Sequence, residues 1–241
     1  MPRSHRIATS LLGTLFAAAL ASAPTHASPV ASKESRAMNP HPTIRAMSGA
    51  TPIARLDAKT TALLVIDFQN EYFTGAMPIP DGAAALRNTR RLVEHADAAH
   101  IPVIHVQHIA PAGAAVFAID GETVKFHPDM QPRAQDTTVR KTTVSVFAST
   151  DLDAQLKARG VKTLIVAGLM THACVAGAAR DAAPLGYQVL VASDASATRD
   201  IARRDGDVVD HRVLHRAALA EIEDTFGDVA TTADIIALPV H

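Results

Sequence analysis

The residues best suited to chemistry in this sequence are one cysteine, one aspartate and one lysine. Cys174, the only cysteine among 241 residues, lies between the apolar run Thr163–Ala167 and a stretch of small residues typical of a helix. At such a strand-to-helix corner, free backbone N–H groups and the helix dipole favour a thiolate. A lone cysteine is more often a small apolar residue in a helix–sheet contact, so its position alone does not establish a nucleophile.

Asp67 and Lys141 fall at the ends of two other predicted strands. Each has an ordinary interpretation, because such an aspartate often caps a turn and such a lysine is often a solvated charge. In a parallel sheet, however, ligands bind beyond the carboxyl ends of the strands. Together with a thiol, the two side chains form a set for nucleophilic catalysis. The sulfur attacks a carbonyl carbon, the carboxylate moves the proton, and the ammonium lowers the thiol pKa.

Segments of buried-strand character alternate with helical patterns along the chain. The predicted strands are Thr61–Ile66, Pro102–Val106, Thr138–Lys141, Thr163–Ala167 and Gln188–Ala192. The predicted helices are Ala83–Ala99, Asp151–Arg159, a helix from near Cys174 to Gly186, and Asp205–Phe226 with Val209, Val213, Ala217, Ala220 and Ile222 inward. This alternation is typical of an α/β fold with a doubly wound, mostly parallel sheet and helices on both faces.

One long segment has no periodic pattern. It runs from about His108 to Thr137 and contains several Pro and Gly residues. Irregular loops of this length in a compact domain are usually functional, for example as active-site lids. We therefore expect this segment to shape the binding pocket.

The composition excludes several classes of partner. With 48% hydrophobic residues, 23 basic and 24 acidic side chains, the chain has enough apolar residues for one sizeable domain and a formal charge of only −1. It has no Trp and two Tyr. Neither a nucleic acid nor an anionic membrane is therefore expected as a partner.

The N-terminus has the pattern of a targeting segment. Arg3 and Arg6 precede the apolar run Ile7–Ala21, and small residues lead to a predicted cleavage after Ala27. We interpret residues 1–27 as a secretory signal peptide, residues 28–58 as a linker or disordered segment, and residues 59–241 as the single folded domain that contains Asp67, Lys141 and Cys174. The alternative for residues 1–27 is a tethering helix. The protein is therefore expected to be exported to the periplasm or secreted, without membrane contact after cleavage.

Three motifs carry a resemblance to a known family. They are DFQNEYF after the first strand, KTTVSVF from Lys141 onwards, and GLMTHACV around Cys174. In this order they resemble the isochorismatase-like cysteine hydrolases, which include nicotinamidases and the N-carbamoylsarcosine and ureidoacrylate amidohydrolases. The resemblance covers about Ala58 to the C-terminus and implies Asp67, Lys141 and Cys174 as the catalytic triad.

The resemblance also implies details around the triad. It implies a non-proline cis peptide between Leu169 and Met170, with the backbone N–H groups of Met170 and Cys174 as oxyanion donors. Phe73 and Phe147 fall where the family has pocket-lining aromatic residues, although either could equally be a core residue. Gln69 is expected to have a structural role.

A departure from the family pattern argues against a metal. Among the enzymes that this chain resembles, nicotinamidases bind a metal through an Asp-x-His pair and a further His after the second strand. This chain has His105-Val106-Gln107-His108 there, without an Asp two residues before a His. Residues three apart in a strand point to opposite faces, so His105 and His108 are not expected to share an ion. His127 could join them from the long loop. A second set, Asp207, His211 and His215, has helical spacing, but we interpret it as a packed or paired helix face.

The sequence therefore predicts an exported cysteine hydrolase that cleaves a C–N bond of a small amide or ureido compound through a covalent thioester. No metal or other cofactor is expected, and a homo-oligomer is expected. The alternatives are a metal-dependent nicotinamidase, an isochorismatase-type hydrolase and a non-catalytic binder of small molecules with the same fold.

Overall fold

A six-stranded parallel sheet is the centre of the computed structural model, which describes residues 41–241. The eight strands are β1 (Thr61–Ile66), β2 (Val103–His108), β3 (Thr137–Lys141), β4 (Thr163–Leu169), β5 (Gln188–Ala197), β6 (Ile201–Ala202), β7 (Val208–Val209) and β8 (Asp228–Ala230). The main sheet has the order β3-β2-β1-β4-β5-β8, and β6 and β7 form a separate antiparallel pair. The predicted signal peptide, residues 1–27, lies outside the described residues.

Helices cover both faces of the sheet. They are α1 (Ile44–Met47), α2 (Gly82–Ala98), α3 (Leu152–Ala158), α4 (Ala176–Ala182), α5 (His211–Thr225) and α6 (Thr232–Ile236). Because side chains alternate along a strand, Leu63 and Val65 of β1 pack in one core cluster with α2, while Leu64 and Ile66 pack in a second with α3 and α4. The predicted α/β fold with a mostly parallel, doubly wound sheet is confirmed.

The sheet order places a crevice between two particular strands. From β1 the chain adds β2 and β3 on one side, and β4, β5 and β8 on the other. The carboxyl ends of β1 and β4 therefore flank the point at which the strand order reverses, where ligands bind in such sheets. The pairing Ile66↔Gly168 brings Asp67, after β1, level with the turn that leads to Cys174.

The predicted C-terminal helix is wrong in its start and in its inward face. Helix α5 begins at His211, because the side chain of Asp210 accepts hydrogen bonds from the N–H groups of Arg212 and Val213 and caps the helix. The residues before it form the short pair of β6 and β7. Of the five residues predicted to face inward, only Ile222 is buried, together with Ala218 one turn earlier, whereas Val213, Ala217 and Ala220 are exposed.

Residues 41–58, the described part of the predicted linker or disordered segment, are mostly exposed but have partners in the rest of the fold. Ile53 N donates to Asp228 Oδ2 at 2.7 Å, and the Arg45 guanidinium pairs with Asp228 Oδ1 at 2.6 Å. Leu56 is 1% exposed and pairs with Val240. Residues 43–58 therefore belong to the domain, because their backbone groups and one apolar side chain find partners there.

The long loop between β2 and β3 is anchored. The buried carboxylate of Glu71 accepts hydrogen bonds from Thr123 Oγ1 at 2.5 Å and from the N–H groups of Ala76 and Phe117. Val124 and Met130 are buried in the core. The irregular conformation was predicted, and its fixed position follows from the hydrogen bonds to Glu71.

No described helix is long and apolar enough to cross a membrane.

Gly168 sets the closest approach of β1 and β4. A Cβ atom at this position would lie 2.5 Å from Ile66 O. Gly168→Ala should therefore force the two strands apart and lower the free energy of unfolding by about 1–3 kcal/mol, as overpacking does. The measurement is urea unfolding. The control is Gly177→Ala in α4, where the nearest atom is a Val144 methyl at 3.3 Å and a change under about 1 kcal/mol is expected. Equal stability of the two variants would contradict this account of the strand contact.

Candidate active site

Asp67 lies directly after β1, and its backbone turns out of the strand with φ of 55°. This left-handed conformation is uncommon for side chains other than Gly, Asn and Asp. Its N–H donates to Val106 O at 3.0 Å, which keeps the turn on the edge of the sheet. The side chain is 0% exposed. A carboxylate in this position needs a cation as its partner.

That cation is Lys141, the last residue of β3. Its Nζ lies 2.8 Å from Asp67 Oδ2 and 3.3 Å from Cys174 Sγ, and its side chain is fully buried. Burial, the largest single effect, lowers the pKa of Lys141, but Asp67 and Cys174 together outweigh it, so the pKa is raised above the ordinary value. Lys141 is therefore an ammonium that contacts both other members of the predicted triad.

Cys174 is held in the turn that follows β4. The Leu169–Met170 peptide is cis, as the family resemblance implies, and residues 171–175 form a single π-type turn before α4. Val175 N donates to Met170 O at 3.2 Å across this turn. Cys174 is 5% exposed and packs in the second core cluster. Turns of this kind are frequent at functional sites because they redirect a side chain within a helix start.

The thiol is protonated in the resting site. Burial, and after it the negative charge of Asp67, raise the pKa of Cys174 to about 12, although Lys141 acts in the opposite direction. The expectation of a thiolate from helix position alone was therefore wrong, because burial and Asp67 outweigh the dipole and the ammonium. The resting charges are a carboxylate, an ammonium and a neutral thiol.

This arrangement suits general-base activation of a nucleophile. In such an activation, a carboxylate in the same buried cluster as a thiol can take the thiol proton as the sulfur attacks a carbonyl carbon. The backbone N–H groups of Met170 and Cys174 remain the predicted oxyanion donors. Met170 is the residue after the cis peptide, and Cys174 lies in the π-type turn.

Sequence analysis gave no place in the site to two side chains that are electrostatically linked to the cluster, Tyr72 directly and Arg199 through Tyr72. Tyr72 is buried, and burial first and then the charges of Cys174 and Asp67 raise its pKa well above the ordinary value. Arg199 has a buried Nε atom without a hydrogen-bond partner in the described chain, and its charge acts on Tyr72. His172, two residues before Cys174, has its Nδ1 2.5 Å from Thr198 Oγ1.

The two aromatic residues predicted to line the pocket lie in different places. Phe73 is partly buried, and its ring centroid lies 4.3 Å from that of His127 in the long loop. Phe147 instead packs on the second core cluster with its ring 6.0 Å from that of Tyr187, which precedes β5 at the amino edge of the sheet. The structure therefore places Phe147 in a core contact, the alternative left open by the sequence.

The histidines of β2 point in opposite directions, as the strand geometry predicts. His105 Nε2 lies 3.2 Å from an Asp136 oxygen, whereas His108 Nδ1 lies 2.9 Å from Lys141 Nζ. His127 contacts Phe73 and its own loop, because its Nδ1 accepts from Asp129 N at 3.1 Å. These three residues do not converge on one point.

Asp207, His211 and His215 do not lie on one helix in the structure, because α5 begins at His211. Asp207 precedes β7, and His215 pairs with Thr171 Oγ1 at 2.8 Å. His211 instead groups with Asp200 and Asp210 at the surface. A cavity of about 290 Å³ between α2 and α5 is lined by His211 and His215, and the triad is not part of its lining.

Comparison with known proteins identifies the family of this chain. The model of the isochorismatase domain matches residues 61–234, which includes all three triad residues. The chain belongs to the isochorismatase family. It is an isochorismatase-like hydrolase, and the family resemblance read from the three motifs is confirmed.

Relatives of this isochorismatase-family hydrolase include enzymes with named reactions. A secreted isochorismatase effector of Verticillium dahliae is 35% identical over 79% of this chain and 97% of its own length. A ureidoacrylate amidohydrolase of Caulobacter vibrioides is 29% identical over 74% of this chain and 91% of its own. Among solved structures, a cysteine hydrolase from Pseudomonas syringae is 30% identical with a TM-score of 0.73, covering 81% of this chain and 96% of its own.

The buried ion pair predicts a large effect on stability. Lys141→Met removes the ion-pair partner of the buried Asp67 carboxylate and should lower the free energy of unfolding by about 3–5 kcal/mol. Lys125→Met is the matched control, because its ion pair with Glu122 is exposed and worth less than about 1 kcal/mol. Urea unfolding at neutral pH measures both. A similar stability for the two variants would show that Asp67 does not depend on Lys141.

Proposed function

We propose that the protein is a cysteine hydrolase that cleaves a C–N bond of a small amide or ureido compound. The observation that carries the proposal is the buried contact of Cys174 Sγ with Lys141 Nζ at 3.3 Å, with that ammonium 2.8 Å from Asp67. A nucleophile, a base and a cation are together at the strand ends where ligands bind. The ureidoacrylate amidohydrolase of Caulobacter vibrioides supports the substrate class.

The proposed reaction has two halves. In the first, the sulfur of Cys174 attacks the carbonyl carbon while Asp67 accepts the thiol proton, and the N–H groups of Met170 and Cys174 stabilise the oxyanion. Asp67 then delivers that proton to the leaving nitrogen as the C–N bond breaks, leaving a thioester. In the second half, Asp67 takes a proton from water as the oxygen of that water attacks the thioester. Asp67 then returns the proton to the sulfur as the C–S bond breaks, which releases the acid product and restores both the thiol and the carboxylate.

Lys141 has a separate task in this scheme. Its ammonium contacts the carboxylate and the sulfur at once, so it stabilises negative charge as this moves from Asp67 to the sulfur and back. An ammonium has no lone pair, so Lys141 cannot accept the thiol proton. Asp67 is therefore the proton carrier, and Lys141 holds the two reacting groups in place.

The alternatives differ in what they require. A non-catalytic binder would not form a thioester, and an isochorismatase-type hydrolase would cleave a vinyl ether instead of a C–N bond. A metal-dependent nicotinamidase would need ligands that converge, whereas His105, His108 and His127 have separate partners. A screen of small amides, ureides and vinyl ethers with analysis of the products separates these reactions.

Export and assembly are part of the proposal. The pattern of residues 1–27 supports a signal peptide, and the relative from Verticillium dahliae is a secreted protein. We also propose a homo-oligomer. Fractionation of the producing cells and light scattering of the purified protein test these two points.

A covalent intermediate is the expected outcome of the substrate screen. Acid quenching during turnover should give an intact mass higher by one acyl group, and Cys174→Ala should show neither the adduct nor hydrolysis. Asp67→Asn should be nearly as inactive, with a loss of at least about a hundredfold, because an amide cannot move the proton. Asp181→Asn in α4 is the control and should retain activity. Turnover by Cys174→Ala would exclude cysteine catalysis.

Removal of metal should leave the activity unchanged. The thiol, not a metal-bound hydroxide, attacks the substrate in the proposed reaction, and Asp67 serves as the base for water in the second half. The measurement is hydrolysis after exhaustive dialysis against a chelator, with elemental analysis of the same sample. Loss of activity that zinc, iron or manganese restores would favour the nicotinamidase alternative.

A further inference from the structure

The ammonium of Lys141 has more neighbours than the triad provides. Besides Asp67 and Cys174, its Nζ lies 2.9 Å from His108 Nδ1 and 3.2 Å from Thr143 O. An ammonium only donates hydrogen bonds, so His108 Nδ1 must be an acceptor in this contact. The ring is then neutral, with its proton on Nε2.

We propose that His108 is a positioning residue of the active site: its neutral ring accepts a hydrogen bond from Lys141 and holds the ammonium between Asp67 and Cys174. This inference rests on the proposed function of the triad. In the described chain, the His108 ring forms its hydrogen bond with Lys141 and none with Cys174 or Asp67. It therefore acts on the triad through Lys141.

The fold fixes His108 for this task. It is the last residue of β2 and pairs in register with Lys141 of β3. The side chain of Gln69 holds the backbone of His108 on both sides, because Gln69 Oε1 accepts from its N–H at 2.8 Å and Gln69 Nε2 donates to its carbonyl at 2.8 Å. The ring of Phe117 packs edge-on, with centroids 4.8 Å apart. This clamp is the structural role predicted for Gln69.

The charges around the ring favour its neutral form. Burial, and then the charge of Lys141, lower the pKa of His108 below the ordinary value of 6.5. The Asp67 carboxylate and the Thr143 carbonyl act in the opposite direction, and Phe117 carries no charge. Protonation at low pH would remove the acceptor and place a second cation beside Lys141. The contact is therefore present above the pKa of His108 and is lost as the pH falls through it.

The state of the ring can be observed without any substrate. Long-range ¹H–¹⁵N spectra, with His108 assigned by its absence in His108→Asn, should show a neutral ring protonated at Nε2 at pH 7. Its titration should have a midpoint below 6.5. A proton on Nδ1, donated to Thr143 O, or a charged ring at pH 7 would overturn the proposal. This result is independent of whether the protein hydrolyses amides.

Kinetics then test whether the contact matters. His108→Asn keeps an acceptor oxygen near the position of Nδ1 but does not titrate, whereas His108→Leu keeps the bulk without an acceptor. With the amide that acylates Cys174, His108→Asn should retain kcat within about threefold and lose the His108 component of the acid limb of its pH profile. His108→Leu should lose at least about tenfold in kcat, which is about 1.4 kcal/mol of transition-state stabilisation.

The control is His100→Asn, which changes an exposed histidine that follows α2 and should leave the pH profile unchanged. Equal kcat values and pH profiles for wild type and His108→Leu would overturn the positioning role, even with the expected tautomer. If no compound acylates Cys174, the proposed function fails, and the spectra alone then decide the hydrogen-bond state of His108.

Discussion

The rest of the site depends on one interaction, the buried ion pair of Asp67 with Lys141. Both side chains are fully buried, and neither charge would be stable there alone. The pair fixes the end of β1 against the end of β3, although β2 lies between them in the sheet. It also sets the chemistry of Cys174, because the carboxylate raises the thiol pKa while the ammonium lowers it. In the proposed reaction, the thiol stays protonated until its sulfur attacks a carbonyl carbon.

The parallel sheet explains how residues so distant in sequence meet. Asp67 and Cys174 follow β1 and β4, which pair directly, and the close approach at Gly168 brings their ends level. Lys141 reaches the same point from β3 because its long side chain extends past the end of β2. There it meets His108, the last residue of that strand. The site is therefore built on strand ends, and the anchored loop after β2 contacts it through Phe117, whose ring packs on His108.

The sequence predicts these strand ends well because buried parallel strands are runs of apolar residues, and a charged residue directly after one is visible. It predicts less where side-chain capping decides the boundary, as Asp210 does for α5. The order of residues 43–58 depends on distant partners such as Asp228, which local sequence does not reveal. The contact of His108 with Lys141 depends on strand order and register, and the protonated state of the thiol depends on its burial. None of these is encoded in spacing along the chain.

The central claim is that the resting site holds a neutral thiol whose proton passes to Asp67 only during attack. The ultraviolet absorbance of the thiolate, taken as the difference between wild type and Cys174→Ala during a pH titration, tests it most directly. Because Cys174 is the only cysteine, the signal belongs to one group. The account predicts no thiolate absorbance from about pH 6 to about pH 9. A thiolate already present at neutral pH, with a midpoint below about pH 8, would contradict it.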